Sequence, residues 1–186
     1  IIGYLYGSLM NLYGDRGNLL ALAGRCQRRG IECRVVAIGI GDEIPVRDCD
    51  LYFFGGGQDQ EQARVAEDLV GRGDKAARLR EALEEGAVAL CVCGGYQLLG
   101  HYYRPHGQPE LPGAGIIDCW TVAGPRRFIG NVVVAADLSW SGQPPSTGRS
   151  ATLVGFENHS GCTYLGPRAR PLGTVLVGAG NNGVDG

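Results

Sequence analysis

Strand-like and helix-like segments alternate through the first half of the chain, and this alternation restricts the fold more than any other feature. Short apolar runs predict strands at residues 1–6, 31–40, 50–54 and 87–92. Segments with helical periodicity predict helices at residues 16–29, 59–70 and about 75–85. Such alternation is typical of a parallel sheet, because each parallel crossover passes through a helix. We therefore predict an α/β fold, with a mostly parallel sheet and helices on both faces.

The second half of the chain contains strand-like runs without helical segments between them. These runs are residues 128–134, 152–156, 162–165 and 174–177. Residues 139–150 are rich in Ser, Gly and Pro and predict an exposed loop. The later strands either extend the parallel sheet or form hairpins on it. No repeat or linker interrupts the sequence, so we predict a single domain over residues 1–186.

Composition and charge exclude several classes of function. Apolar residues make up 44% and charged residues 19%, as in an ordinary globular protein. The net charge of −2 provides no basic field that would attract nucleic acid. No apolar stretch approaches the roughly 20 residues that a membrane-spanning helix needs. Residues 1–6 resemble a first strand rather than a signal peptide. We therefore expect a cytoplasmic protein with no membrane span and no nucleic-acid partner.

The seven cysteines indicate free thiols rather than disulfides. Their number is odd and no secretion signal accompanies them, which favours a reducing compartment. Cys33, Cys91 and Cys119 lie in apolar runs, where a thiol packs as a small hydrophobic group. Cys91 and Cys93 are spaced like half of a zinc site, but no second pair matches them, so we predict no metal.

Cys93 is the strongest candidate for a catalytic residue. It follows an apolar strand and precedes two glycines and a helix-compatible run, residues 97–99. At such a strand-to-helix corner the sulfur lies above the sheet, at the positive end of the helix, and both effects favour the thiolate. A nucleophile elbow also needs neighbours without side chains, which Gly94 and Gly95 provide. We predict that Cys93 is a covalent nucleophile.

A thiolate at this position suits acyl transfer, which also needs hydrogen-bond donors for an oxyanion. Right-handed crossovers would bring the glycine loop 55–57 and Cys93 to the same carboxyl edge of the sheet. The candidate donors are the backbone amides of Gly56, Gly57 and Gly94. Gln97, one helical turn beyond Cys93, offers an amide to the substrate. The alternative for loop 55–57 is a plain strand-ending turn, because glycine runs are common in turns.

Residues 93–100, Cys-Gly-Gly-Tyr-Gln-Leu-Leu-Gly, resemble the nucleophile motif of class I glutamine amidotransferases, in the CobB/CobQ-like branch that contains cobyric acid synthases. Within this branch the sequence more closely resembles the GatD-type glutaminase subunits of lipid II isoglutaminyl synthases. The supporting segments run along nearly the whole chain, at 11–18, 50–61, 127–130, 155–159 and 180–183. The cysteine motif indicates only the superfamily, whereas Asn-Leu-Tyr-Gly-Asp at 11–15 together with Phe-Glu-Asn-His at 156–159 is more specific to this branch.

The resemblance implies a glutaminase that hydrolyses L-glutamine to glutamate and ammonia through a Cys93 thioester. It also implies a heterodimer with a Mur-ligase-like synthetase of the MurT type. That partner would bind ATP and Mg²⁺, activate D-glutamate of the peptidoglycan stem peptide and receive the ammonia, so this subunit needs no cofactor of its own. In the resembled family an arginine at the place of Arg127 is linked to the glutamine site, and a guanidinium suits a carboxylate. Because Arg126 precedes it, either arginine could occupy the family's position. The alternative interpretation is that Arg127 is an ordinary surface residue.

A cysteine amidotransferase needs a histidine as its catalytic base, and the motifs described above do not include one. The chain offers His101, His106 and His159. We interpret His101 as a capping or packing residue and His106 as part of a loop. In the family the catalytic histidine follows the Gly-Asn-Asn-Gly segment, here 180–183, which implies a base beyond Gly186 and a chain truncated at its C-terminal end. His159 is the alternative base, since Glu157 shares its strand face and could orient it.

Other functions remain open at the level of sequence. A cobyrinate-type amidotransferase would carry its ATP-using domain on the same chain, but no Gly-x-x-x-x-Gly-Lys-Ser/Thr loop is present. A degenerate amidotransferase that only binds or regulates a partner would explain the missing histidine. A thiol sensor or deglycase-like protein would use the elbow cysteine without glutamine.

Overall fold

The computed structural model describes residues 1–12, 14–71, 73–136 and 151–184. The chain divides into two compact units, Ile1–Tyr103 with Pro109–Ile117 and Arg104–Gln108 with Asp118–Gly186. We describe each unit by itself, and the single domain over 1–186 stays a prediction. The predicted loop 139–150 lies outside the described residues. Within these ranges, no helix is long and apolar enough to cross a membrane.

A four-stranded parallel sheet forms the centre of the first unit, in the order β2-β1-β3-β4. Its strands are β1 (Ile2–Leu5), β2 (Val35–Ile38), β3 (Leu51–Phe54) and β4 (Val88–Cys91). All four predicted strands are present. β2 is shorter than predicted, because its pairing with β1 extends only from Val35 opposite Ile2 to Ile38 opposite Leu5.

In the described part of the chain, four α-helices connect or follow these strands: α1 (Arg16–Gln27), α2 (Asp59–Ala66), α3 (Lys75–Glu84) and α4 (Gly94–Leu99). The predicted helix 59–70 is α2 followed by a π-helical turn, Glu67–Gly71, in which Leu69 is buried. Beyond α1 and α3 the chain reverses at Gly30 and Gly86, whose φ values of 68° and 109° favour glycine.

Alternate strand residues face opposite sides of the sheet, and helices cover both sides. On one side Ile2 and Phe53 pack with Leu19 of α1. On the other, Leu5, Tyr52 and Phe54 form one apolar cluster with Val65, Leu79 and Leu98 of α2, α3 and α4. Burying one such side chain stabilises the fold by about 1.5–3 kcal/mol. The predicted α/β class is therefore confirmed. A short antiparallel pair, β5 (Tyr102–Arg104) and β6 (Leu111–Pro112), follows α4.

The second unit contains a long antiparallel hairpin. Its strands are β7 (Cys119–Ala136) and β8 (Ala151–Leu165), and β9 (Gly173–Val177) pairs with β7. We predicted that the later strands either extend the parallel sheet or form hairpins, and β7 and β8 form a hairpin. The prediction of separate strands at 152–156 and 162–165 is wrong, because the polar residues between them continue the pairing with β7 and belong to β8. The register shifts between Ala123 and Phe128 in the pairing of β7 with β8, and between Val133 and Val134 in the pairing of β7 with β9.

Candidate active site

Cys93 joins β4 to α4 in a strained turn. Its φ is 52° and its ψ is −115°, a combination that costs a residue with a Cβ about 1–3 kcal/mol. The side chain is nevertheless exposed, and α4 begins at the next residue. Strain at an exposed nucleophilic residue between a strand and a helix is typical of a nucleophile elbow.

The two glycines after Cys93 are closely packed. A Cβ at Gly94 would lie 2.8 Å from the side-chain amide of Gln62 and 2.9 Å from Cε of Met10. A Cβ at Gly95 would lie only 2.5 Å from the carbonyl oxygen of Phe54. The carbonyl oxygen beside Gly95 belongs to the backbone and cannot move aside, so Gly95 is a steric condition for this elbow. The neighbours of Gly94 are the ends of two flexible side chains, which can shift to make room.

The glycine loop 55–57 lies against the elbow, as the crossover argument predicts. The amide of Gly95 donates to the carbonyl oxygen of Gly55 at 3.0 Å, and the amide of Val92 donates to that of Phe54 at 2.8 Å. A Cβ at Gly55 would lie 2.3 Å from the carbonyl oxygen of Met10. The absence of side chains therefore lets three backbone segments meet here, which a plain strand-ending turn does not require.

Of the three candidate donors, one is already engaged. The amide of Gly56 donates to Oδ2 of Asp15 at 3.1 Å, and Asp15 is 4% exposed. Gly57 and Gly94 are therefore the better candidates. Gly94 is the first residue of α4, where an amide has no acceptor within the helix. The oxyanion role of these amides stays a prediction.

Two residues of α2 that the sequence did not indicate as site residues lie beside the glycine loop and the elbow. Nε2 of Gln62 donates to the carbonyl oxygen of Gly57 at 3.0 Å. Glu61 lies beside the same loop, since its Cβ is 3.5 Å from the place of a Cβ at Gly57. Oε1 of Gln62, Oε2 of Glu61 and Oε1 of Gln97 are buried without a partner among the described residues. The motif spacing carries no signal for these contacts, because they depend on how α2 packs.

Tyr103 and Asp59 also lie near Cys93. The pKa of Tyr103 is raised to about 12, mainly by burial, with smaller contributions from the negative charges of Asp59 and Cys93 and from a hydrogen bond with Asp59. The phenol is therefore protonated at neutral pH and acts as a hydrogen-bond donor. Cys91 differs from Cys93, because burial raises its thiol pKa to about 12. Cys91 is thus an unreactive packing thiol, as predicted.

His159 and Arg127 belong to the second unit. Nδ1 of His159 donates to the carbonyl oxygen of Gly161 at 2.9 Å, which leaves Nε2 facing Oε2 of Glu157 at 3.9 Å. Glu157 shares the strand face of His159, but its carboxylate accepts the amides of Ala179 and Gly180 at 2.8 and 2.9 Å. Glu157 therefore forms hydrogen bonds with the backbone of residues 179–180, whereas its distance to the imidazole of His159 is too long for a hydrogen bond.

The remaining site predictions concern Arg127 and two further histidines. Nη1 of Arg127 donates to Oδ1 of Asn158 at 3.0 Å. His101 is exposed, its ring lies beside Gly115, and its backbone carbonyl oxygen accepts the amide of Gly113; its interpretation as a capping or packing residue stays a prediction. His106 lies in an exposed turn, as expected. The structure thus brings Cys93 together with the glycine loop. The roles of Arg127 and His159, and the absence of a metal or cofactor, stay predictions.

Comparison with known proteins agrees with this geometry. The CobB/CobQ-like glutamine amidotransferase domain matches residues 1–186. The chain is 39% identical over 176 residues to the GatD subunit of the glutamine-hydrolysing lipid II isoglutaminyl synthase of Staphylococcus aureus (strain N315), covering 95% of this chain and 66% of that protein. It is 36% identical over 182 residues to the subunit of the same name from Streptococcus pneumoniae (strain ATCC BAA-255 / R6), covering 97% and 65%.

The chain thus spans about two thirds of the length of these relatives. A crystal structure of a glutamine amidotransferase superposes with a TM-score of 0.53 at 17% identity, covering 90% of this chain and 76% of the other. At that identity the likeness shows a shared fold. From the full-length family match and the two relatives, the chain belongs to the CobB/CobQ-like glutamine amidotransferase domain family.

Proposed function

We propose that this protein is the glutaminase subunit of a lipid II isoglutaminyl synthase. The observation that carries the proposal is the elbow: an exposed cysteine in a strained turn, with a side-chain-free loop packed against it. The names and high coverage of the two GatD relatives support the choice of reaction. The overall reaction is L-glutamine and water giving L-glutamate and ammonia.

The chemistry begins with attack of the Cys93 thiolate on the side-chain amide carbon of glutamine. The amides of Gly57 and Gly94 donate hydrogen bonds to the oxyanion of the tetrahedral adduct. Loss of one such donor reduces the stabilisation of the transition state by about 3 kcal/mol. The C–N bond breaks, a general base returns a proton to the departing nitrogen, and ammonia leaves. Water then attacks the thioester, which releases glutamate and restores the thiolate. A histidine acts as the base, as the resemblance implies, with His159 as one candidate, and Arg127 binds the substrate carboxylate.

Ammonia from this step serves a second subunit. That partner is a Mur-ligase-like synthetase, which uses ATP and Mg²⁺ to activate D-glutamate of the peptidoglycan stem peptide, so the complex acts in cell-wall synthesis in the cytoplasm. A cobyrinate-type reaction is the second candidate. Purified complex given lipid II or a cobyrinate, together with ATP and glutamine, distinguishes the two by which acceptor gains an amide.

Trapping with diazo-oxo-norleucine tests the glutaminase step. In the natural protein with its partner, mass spectrometry should find one adduct, on Cys93, with loss of ammonia release from glutamine. Cys93→Ser should show neither adduct nor activity. Cys91→Ser is the matched control and should retain both, because its thiol is buried and protonated. An active complex without an adduct on Cys93 would contradict the proposal, and a wild-type complex that releases no ammonia would favour a regulatory role.

A further inference from the structure

Three buried side-chain oxygens near the elbow have no hydrogen-bond partner in the described part of the chain. They are Oε2 of Glu61, Oε1 of Gln62 and Oε1 of Gln97. Buried polar atoms in folded proteins nearly always have partners, so an unpartnered group needs an explanation in terms of a missing ligand or water. Carboxylate and amide oxygens accept hydrogen bonds, so the missing partner is a hydrogen-bond donor.

Gln62 shows that these atoms border the nucleophile. It is only 3% exposed, and its Nε2 donates to the carbonyl oxygen of Gly57 at 3.0 Å. A carbonyl oxygen can only accept, so the amide nitrogen faces Gly57 and Oε1 points elsewhere. The same amide group lies against Gly94, where an added Cβ would be 2.8 Å from its Cδ. The unpartnered oxygen of Gln62 is therefore close to the residue that follows Cys93.

Glu61 adds a carboxylate on the same turn of α2. Its Cβ lies 3.5 Å from the place of a Cβ at Gly57, so the side chain starts at the glycine loop. Glu61 as a residue is only partly buried, but its Oε2 is fully buried. A carboxylate oxygen in such a place is costly unless a cation or a hydrogen-bond donor accompanies it. No Lys or Arg of the described ranges hydrogen-bonds its Oε2. A small cation with several N–H groups meets both requirements, and the α-ammonium group of an amino acid is such a cation.

We propose that Glu61 binds the α-ammonium group of the substrate, with Gln62 as a second acceptor on the same wall of the site. This inference rests on the proposed function, because L-glutamine carries both an ammonium group and an amide that donate hydrogen bonds. Glu61 then selects free amino acids over amides that lack the ammonium group. It contacts substrate without making or breaking a bond.

The test compares L-glutamine with glutaramate, the same amide without its ammonium group. Ammonia release is measured on the natural protein with its partner, as kcat/KM for each compound. Glu61→Gln should lower kcat/KM for L-glutamine about 10- to 100-fold, the range of one charged hydrogen bond, mainly through KM. Its value for glutaramate should not change. Glu84→Gln, on the exposed end of α3, is the matched control and should change neither.

Glu61→Asp keeps the charge and should retain the preference for L-glutamine, which guards against a variant that fails to fold. An equal loss on both amides in Glu61→Gln, or an unchanged preference, overturns this inference and leaves the proposed function standing. If the wild-type complex releases no ammonia from L-glutamine, the proposed function fails, and this inference fails with it.

Discussion

Replacing Gly95 with alanine should destabilise the fold, because the elbow has no room for a Cβ. The new atom would lie 2.5 Å from the carbonyl oxygen of Phe54 and 2.8 Å from that of Gly55. Both are backbone atoms, so neither can rotate away. Overpacking of this kind costs about 1–3 kcal/mol. A shift of the elbow also weakens the hydrogen bond from Gly95 to Gly55, worth about 1 kcal/mol. The expected loss is about 2–4 kcal/mol.

Thermal denaturation followed by circular dichroism measures this loss. For a domain of this size, about 1 kcal/mol shifts Tm by about 2–4 °C, so Gly95→Ala should lower Tm by about 4–16 °C. Gly24→Ala is the control in the same unit: it lies inside α1 with nothing within 4 Å of its Cβ position. Alanine there favours the helix and should raise Tm. If Gly95→Ala melts at the wild-type temperature or above, the steric argument for the elbow is refuted.

Two further variants test buried polar contacts. Burial by itself raises the pKa of Asp68, but hydrogen bonds from Lys75 and Tyr6 lower it below its usual value. Its stabilising effect is therefore complete above the unfolded pKa of about 3.9 and is lost as the pH falls through the folded value. Asp68→Asn should flatten this acid limb in urea unfolding at a series of pH values, and an unchanged limb would contradict the assignment. Asp15→Ala leaves the amide of Gly56 without its acceptor and should cost about 1–3 kcal/mol and lower kcat for ammonia release. Asp15→Asn, which keeps an acceptor oxygen, should lose less, and equal losses would argue against this contact.

Periodicity predicted the first unit well, because its strands are short, apolar and separated by clear stop signals. The run before Cys93 and the glycines after it identified the elbow for the same reason. The second unit was harder to predict. β8 contains Glu157, Asn158 and His159 in its middle, and polar residues and glycine there look like a break. The strand continues because β7 pairs with these polar residues, as with His159 opposite Phe128 and Glu157 opposite Gly130.

Contacts between distant segments could not be predicted. Asp15 was part of a recognised motif, yet nothing in that motif shows that its carboxylate accepts the amide of Gly56. Gln62 and Glu61 lie in the predicted helix 59–70, and Glu61 also ends the supporting segment 50–61, but the sequence assigned neither of them a role. Their positions follow from the packing of α2 against the glycine loop and α4.

The order of short apolar runs, helical stripes and glycines in this chain was enough to determine a parallel sheet and a cysteine at a tight corner, because these features depend on neighbouring residues. Tertiary structure alone decided which amides are engaged, which oxygens are left without partners and which thiol is exposed. Those properties depend on atoms far apart in the chain, brought within hydrogen-bond distance only when the sheet and helices pack.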